Sequence, residues 1–189
     1  MTARSLTLAL AFLVLTGSGC ESEGESGPVR TLVGQLDTDA DVYVALVADD
    51  RDVVVYACDG TGDQVTVTEW FQGTHAGGHF DLASTRTEAH AEGDFDAEAG
   101  DGTLHTDSAE LSFVLQAVEG DAGLYFDEVA DGDADHWGGW IFHPDGSVRG
   151  SVLNRKTGGL VAAGEAVPGR SVTVSSLSFD VLRLATPAL

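Results

Sequence analysis

The chain is poor in several residue types, and each shortage excludes something. It has 2 cysteines in 189 residues, too few for a disulfide framework. It has 4 prolines against 24 glycines, which fits a turn-rich β protein better than a proline-rich spacer. Positive charge is scarcest: 9 lysines plus arginines stand against 31 aspartates plus glutamates, a formal net charge of −22. A chain this acidic is repelled by phosphate backbones, which excludes nucleic acid as a partner. No apolar run approaches the roughly 20 residues that a helix needs to cross a bilayer. Lys156 and Asn154 are the sole residues of their types, which we read as GC-rich coding bias. Against these shortages, a hydrophobic content of 43% is too high for a disordered acidic tail and enough for a core.

The first twenty residues have their own pattern. Arg4 is followed by an apolar run from Leu6 to Leu15 and then by Thr16, Gly17, Ser18 and Gly19. A positive start, a short apolar stretch and small residues make the three-part layout of a secretory signal, so residues 1–19 are expected to be a cleaved export signal. The stretch Leu15-Thr16-Gly17-Ser18-Gly19-Cys20 resembles the lipobox of bacterial lipoproteins. It departs from the usual box in placing Gly17, not leucine, three residues before the cysteine. The resemblance implies cleavage before Cys20 and a diacylglycerol on its sulfur. Two or more acyl chains, at about 0.8 kcal/mol per buried CH₂, give stable attachment. Glu21 follows the cysteine, which favours an outer-membrane or surface address. The competing reading is an ordinary secretory signal that leaves Cys20 to pair with Cys58 in an oxidising compartment. Under the lipidated reading Cys58, within an apolar run from Val53, is a buried, inert thiol. Residues 20–28 combine three glutamates with Ser, Gly and Pro28, the composition of a solvated tether.

From residue 29 to 189 the hydrophobic period is two and turns are frequent, which predicts one β domain. Val42–Ala48 and Val53–Cys58 are apolar on both faces and joined by a short polar stretch, Asp49 to Asp52. They read as a hairpin covered on both sides. Val65, Val67 and Phe71 alternate with Thr66, Thr68 and Trp70 in a further strand, and Gly73–Gly78 turns into Phe80–Leu82. Residues 85–107 read as short strands broken by glycine. Leu111, Phe113, Leu115 and Ala117 share one face, and Gly123–Phe126 is another short strand. His143-Pro-Asp-Gly-Ser147 is a turn between two strands. Past the Pro168–Gly169 turn, the inward set shifts parity between Val174 and Leu177, which predicts a bulge near Ser175–Ser176. The whole is about ten short strands in an all-β antiparallel meander. A closed or nearly closed barrel is favoured because closure removes exposed edges; a two-sheet β-sandwich is the alternative.

Tyr56-Ala-Cys-Asp-Gly60, Trp70-Phe-Gln-Gly73, Gly123-Leu-Tyr125 and Gly139-Trp-Ile-Phe-His-Pro-Asp-Gly146 resemble, in order and spacing, a set of secreted or lipidated β proteins of GC-rich bacteria. The resemblance implies fold and export and carries no catalytic residue.

Candidate sites are few. Alternating carboxylates at Asp37/Asp39/Asp41, Asp94/Asp96/Glu98 and Asp131/Asp133/Asp135 could contribute to calcium, which takes about six to eight oxygens. None completes an EF-hand loop, and solvated acidic loops are the plainer reading. The densest group is Asp127, Glu128, Asp131, Asp133 and Asp135. His75 and His79 lie in a loop, and His90, His105, His136 and His143 are scattered, so no metal or other cofactor is expected. No G-x-S-x-G, P-loop or dinucleotide fingerprint is present. Trp70, Trp137 and Trp140 could form a ligand platform, but Trp137 and Trp140 fall on opposite faces of a regular strand, and core packing is favoured. The expectation is a non-enzymatic, lipid-anchored acidic β domain of the bacterial envelope. It would meet the membrane through its anchor and bind an unknown protein or small molecule. A barrel holding a small apolar ligand inside, an envelope hydrolase using paired carboxylates and a calcium-binding domain are the alternatives.

Overall fold

The computed structural model describes residues 27–39 and 41–189. The predicted export signal and Cys20 lie outside the described residues. Strands alone make the regular structure there, fifteen of them.

The double-faced apolar hairpin is the centre of the molecule. Strands β2 (Tyr43–Ala48) and β3 (Asp52–Cys58) pair antiparallel from Tyr43 opposite Cys58 to Ala48 opposite Val53. Their turn is tightened by Asp49, whose Oδ1 accepts the N–H groups of Arg51 and Asp52, each at 2.8 Å. These bonds to backbone N–H groups hold the Asp49 carboxyl below its usual pKa. β1 (Arg30–Leu36) pairs with β2, and β4 (Thr68–Thr74) pairs with β3. The chain continues through β5 (His79–Ala83), β6 (His90–Phe95), β7 (Ala99–His105) and β8 (Glu110–Ala117), each paired with the next, and β8 returns to β1. This is an eight-stranded up-and-down meander wrapped into a nearly closed barrel. At the seam no ladder joins β4 to β5: an isolated bridge pairs Phe71 with Ser84, just past β5, backed by the Thr85 N–H donating to the Trp70 carbonyl at 2.8 Å.

Inward side chains from all eight strands fill the barrel, as they do in other barrels of this strand number. Leu32, Val44, Leu46, Val55, Phe71, Phe80, Leu82, Phe95, Leu104, Phe113 and Leu115 form one buried cluster. Gly93 and Gly102 sit opposite each other on this inner face, where a Cβ would run into the rings of Phe80 and Phe113 respectively. The glycines that broke up residues 85–107 in the sequence therefore make room for phenylalanine.

A second sheet, ordered β12-β11-β10-β9-β15, lies against the outside of β1–β4. Its strands are β9 (Gly123–Asp131), β10 (Ala134–Phe142), β11 (Val148–Asn154), β12 (Leu160–Ala162) and β15 (Leu182–Arg183). The other face of the central hairpin (Tyr43, Ala45, Val47, Val54, Tyr56, Cys58) packs there with Leu124, Trp137, Ile141 and Leu153. Both faces of the hairpin are thus covered by protein, as its composition requires. The far side of the second sheet carries Tyr125, Trp140, Phe142 and Val152, covered by Phe179 and Val174 from the hairpin of β13 (Ser171–Val174) and β14 (Leu177–Asp180). The barrel thus comes with a second sheet stacked outside it and a hairpin outside that.

Three local expectations are corrected. The parity shift at Ser175–Ser176 is not a bulge but a two-residue hairpin turn, with Val174 paired to Leu177 and φ of 49° and 75° at the two serines. Left-handed backbone at both central positions is what a type I′ turn demands. Residues 65–67 are not strand: Asp59 Oδ1 accepts the N–H groups of Thr66 and Val67 at 2.9 Å each and holds the chain in a loop. Val65 consequently packs with the inter-sheet cluster, while Val67 joins the barrel interior. Finally, Gly123–Phe126 is only the start of β9, which runs to a tight turn at Gly132–Asp133, with φ 65° at Gly132.

Candidate functional site

The acidic groups singled out in the sequence are turn-makers and strand residues. Asp39 Oδ1 accepts the Asp41 N–H at 3.0 Å, and Asp41 pairs with Arg149 at 3.0 Å. Asp96 Oδ1 accepts the N–H groups of Glu98 at 2.8 Å and Ala99 at 2.9 Å, which lowers its pKa. Asp127, Asp131, Asp133 and Asp135 belong to the β9–β10 hairpin, not to an open loop. Alternation along β9 and β10 puts Asp127 and Asp131 on the Tyr125 face and Asp135 on the Trp137 face, so these carboxylates do not converge. Asp127 Oδ2 accepts the Asp180 N–H at 2.7 Å, and Asp133 pairs with Lys156. The most enclosed carboxylate that forms an ion pair is Glu69, at 14% side-chain exposure; it takes Arg86 Nη2 and the Ser84 hydroxyl, each at 2.6 Å, beside the barrel seam.

The three tryptophans are core side chains. Trp70 stacks on Tyr56 with ring centroids 3.9 Å apart and meets Trp137 edge-on at 6.1 Å, all between barrel and second sheet. Trp140 lies on the opposite face of β10, where its Nε1–H donates to the Ala163 carbonyl at 2.8 Å. The Trp-Gly-Gly-Trp stretch owes its glycines to these rings: a Cβ on Gly138 would strike Trp140, and one on Gly139 would strike Trp70 and Tyr56. Cys58 is fully buried in the same layer. Its Sγ takes the Gly60 N–H at 3.3 Å, and burial pushes the thiol pKa up. Nearby, the Tyr56 hydroxyl bonds Ser151 Oγ at 2.9 Å, and Ser151 Oγ bonds Thr68 Oγ1 at 2.8 Å.

With the barrel filled and β1–β4 covered, the outer wall of β5–β8 is the sheet face left open. Side chains there stand in rows set by the register: His79, Asp94, Asp101 and Val114 in one, Asp81, Glu92, Thr103 and Ser112 in the next, Ala83, His90, His105 and Glu110 in the third. A shallow groove of about 730 Å³ crosses this wall, lined by Asp37, Asp94, Asp96, Asp101 and the half-exposed Val114.

The third row brings together histidines that lie far apart in the sequence. His90 and His105 face each other across β6 and β7, with rings stacked 4.2 Å apart and 5° from parallel. Glu92, two residues along β6, reaches His105 Nε2 with Oε1 at 3.3 Å. Glu110, opposite on β8, puts Oε1 3.6 Å from His105 Nδ1. His90, Glu92 and His105 offer donor atoms that all lie within 4.8 Å of one another. The alternation His90-Ala91-Glu92 was a usable clue, but pairing His90 with His105 also requires knowing that Asp96–Ala99 is the turn. The other two sequence candidates are apart: His75 Nε2 lies 2.9 Å from the Asp49 carbonyl oxygen, and His79 pairs with Asp94 at 3.1 Å.

No protein-family model matches the chain, and comparison with the curated proteins and with the solved structures likewise yields no match.

Proposed function

We propose that this protein is a non-enzymatic, lipid-anchored acidic β domain of a bacterial envelope, held at the outer membrane or cell surface through Cys20 and working as a binding module. Residues 1–19 are the export signal in this reading, and 20–28 the tether. The observation that supports it most is the placement of Cys58. A thiol with 0% exposure, walled in between barrel and second sheet, is poorly placed to meet a cysteine outside the domain, because a disulfide needs Cα atoms within about 7 Å. That favours acylation over disulfide formation as the fate of Cys20. The binding role draws on the outer wall of β5–β8: the barrel interior is occupied by side chains and the tryptophans are spent on packing, so recognition falls to an exposed, carboxylate-rich surface.

The test is an intact-mass measurement on protein from the membrane fraction, paired with Cys20→Ala. The expected result is a chain beginning at residue 20 with at least a diacylglycerol, and release of the variant into the soluble exported fraction. A Cys20–Cys58 disulfide, or a variant as firmly attached as the parent, would overturn the anchor.

A further inference from the structure

We infer that the His90, Glu92 and His105 cluster on the outer wall of β6–β7 is a binding site for a divalent transition metal of the zinc class, with Glu110 as its supporting carboxylate. The inference goes beyond the anchored-module reading and does not depend on it.

Donor chemistry comes first. Two imidazoles and one carboxylate are the ligand set of zinc and its late first-row neighbours, whereas calcium and magnesium call for oxygen alone. Three protein ligands also leave one position of a tetrahedral ion open, which suits a site at a surface. His90 and His105 are directly opposed across an antiparallel pair, and Glu92 shares their face two residues on, so the sheet itself fixes the spacing. The donor atoms already lie within 4.8 Å of one another, and the two stacked imidazoles must swing out of their parallel arrangement about their side-chain torsions to aim at one ion that bonds nitrogen and oxygen at about 2.0–2.2 Å.

His105 divides its two ring nitrogens between different carboxylates. Nε2 faces Glu92, a fellow ligand, at 3.3 Å, while Nδ1 faces Glu110 on the next strand at 3.6 Å. A metal-ligating histidine characteristically donates its other ring N–H to a carboxylate, which sets the tautomer and aims the coordinating nitrogen. Glu110 stands where that partner belongs. His105 is more enclosed than either carboxylate, at 21% exposure against 50% for Glu92 and 80% for Glu110.

The experiment is a calorimetric titration of the purified, untagged full chain with zinc at neutral pH in excess calcium. Calcium occupies the many surface carboxylates that would otherwise collect zinc weakly. One zinc per chain should bind, and His105→Gln, or His90→Gln if the former is poorly folded, should lose that equivalent while keeping the parent's thermal stability without metal. Glu110→Gln should keep the equivalent and weaken it by about 10–100-fold. Absence of a calcium-resistant equivalent, or its survival in the double variant His90→Gln/His105→Gln, would overturn the site. The site is read from what the His90 and His105 variants lose and the anchor from the mass of the chain, so failure of one reading leaves the other standing.

Discussion

Replacing Gly139 by alanine tests the packing between barrel and second sheet. Gly139 lies mid-strand in β10, with a φ outside the left-handed region, so its backbone accepts an alanine without strain. The cost must then come from contacts. The added methyl would run into Trp70 Cζ2 and stand 2.8 Å from Tyr56 Cζ and 3.0 Å from Tyr56 Cε1, where carbon atoms normally rest about 3.5–4.0 Å apart. Neither ring has space to yield: Trp70 is 1% exposed, Tyr56 is 0%, and they are stacked on each other. The sheets must separate by a large part of an ångström, or a ring must leave its rotamer. Overpacking of this kind costs about 1–3 kcal/mol. For a domain of this size that lowers Tm by about 2–4 °C per kcal/mol. Urea unfolding followed by tryptophan fluorescence reads the loss directly, since all three indoles are buried. Trimming the obstacle should return part of it. In the double variant Gly139→Ala/Trp70→Phe, the combined loss should fall short of the sum of the single losses by at least about 0.5 kcal/mol, the scale on which contacting residues couple. An alanine at 139 that leaves the midpoint within the noise, or strict additivity with Trp70→Phe, would refute the view that this glycine exists to admit the two rings.

Two further predictions concern single groups. Asp145, in the β10–β11 turn, accepts the Ser147 hydroxyl and N–H, which lowers its pKa to about 2. A carboxylate with a depressed folded-state pKa contributes stability that is present above its unfolded value, near 4, and lost as pH falls through about 2. Asp145→Asn should therefore flatten the acid side of the stability–pH curve between those values and leave its alkaline side unchanged, by thermal melts across pH; an unchanged acid limb would count against the turn's role. Cys58, buried and with its thiol pKa raised, should resist a thiol reagent in the native protein and react at once in denaturant. Rapid labelling of Cys58 in the folded Cys20→Ala variant would mean that the two sheets part far more readily than their packing implies.

The sequence made some of this legible because certain segments obey one rule at a time. Val42–Ala48 and Val53–Cys58 cannot lie on a half-wet sheet, and they do not: one face fills the barrel and the other meets the second sheet. His143–Ser147 announces its turn through Pro144 and Gly146, the latter at φ 86°. The elements that were missed break that simplicity. Ser175–Ser176 carries neither the glycine nor the asparagine that normally marks a type I′ turn, so a hairpin passed for one kinked strand. Asp131-Gly132-Asp133 does carry a turn glycine, but its alternating carboxylates drew attention to metal chemistry. The histidine cluster was out of reach for a different reason. It exists only in the register between β6 and β7, and a stretch holding Gly93, Gly100 and Gly102 offers too little periodic hydrophobicity to fix a register by pattern.

The barrel has a polarity along its axis. β1 begins at Arg30, beside Asp50, His75 and Asp96, at the rim formed by the β2–β3, β4–β5 and β6–β7 turns. His90, His105 and Glu110 stand at the other rim, where β5 hands over to β6 and β7 to β8. At roughly 3.3 Å per strand residue the two rims are about 15–20 Å apart. A chain held through residues that precede Arg30 would therefore present its imidazole pair at the rim farther from the point of attachment.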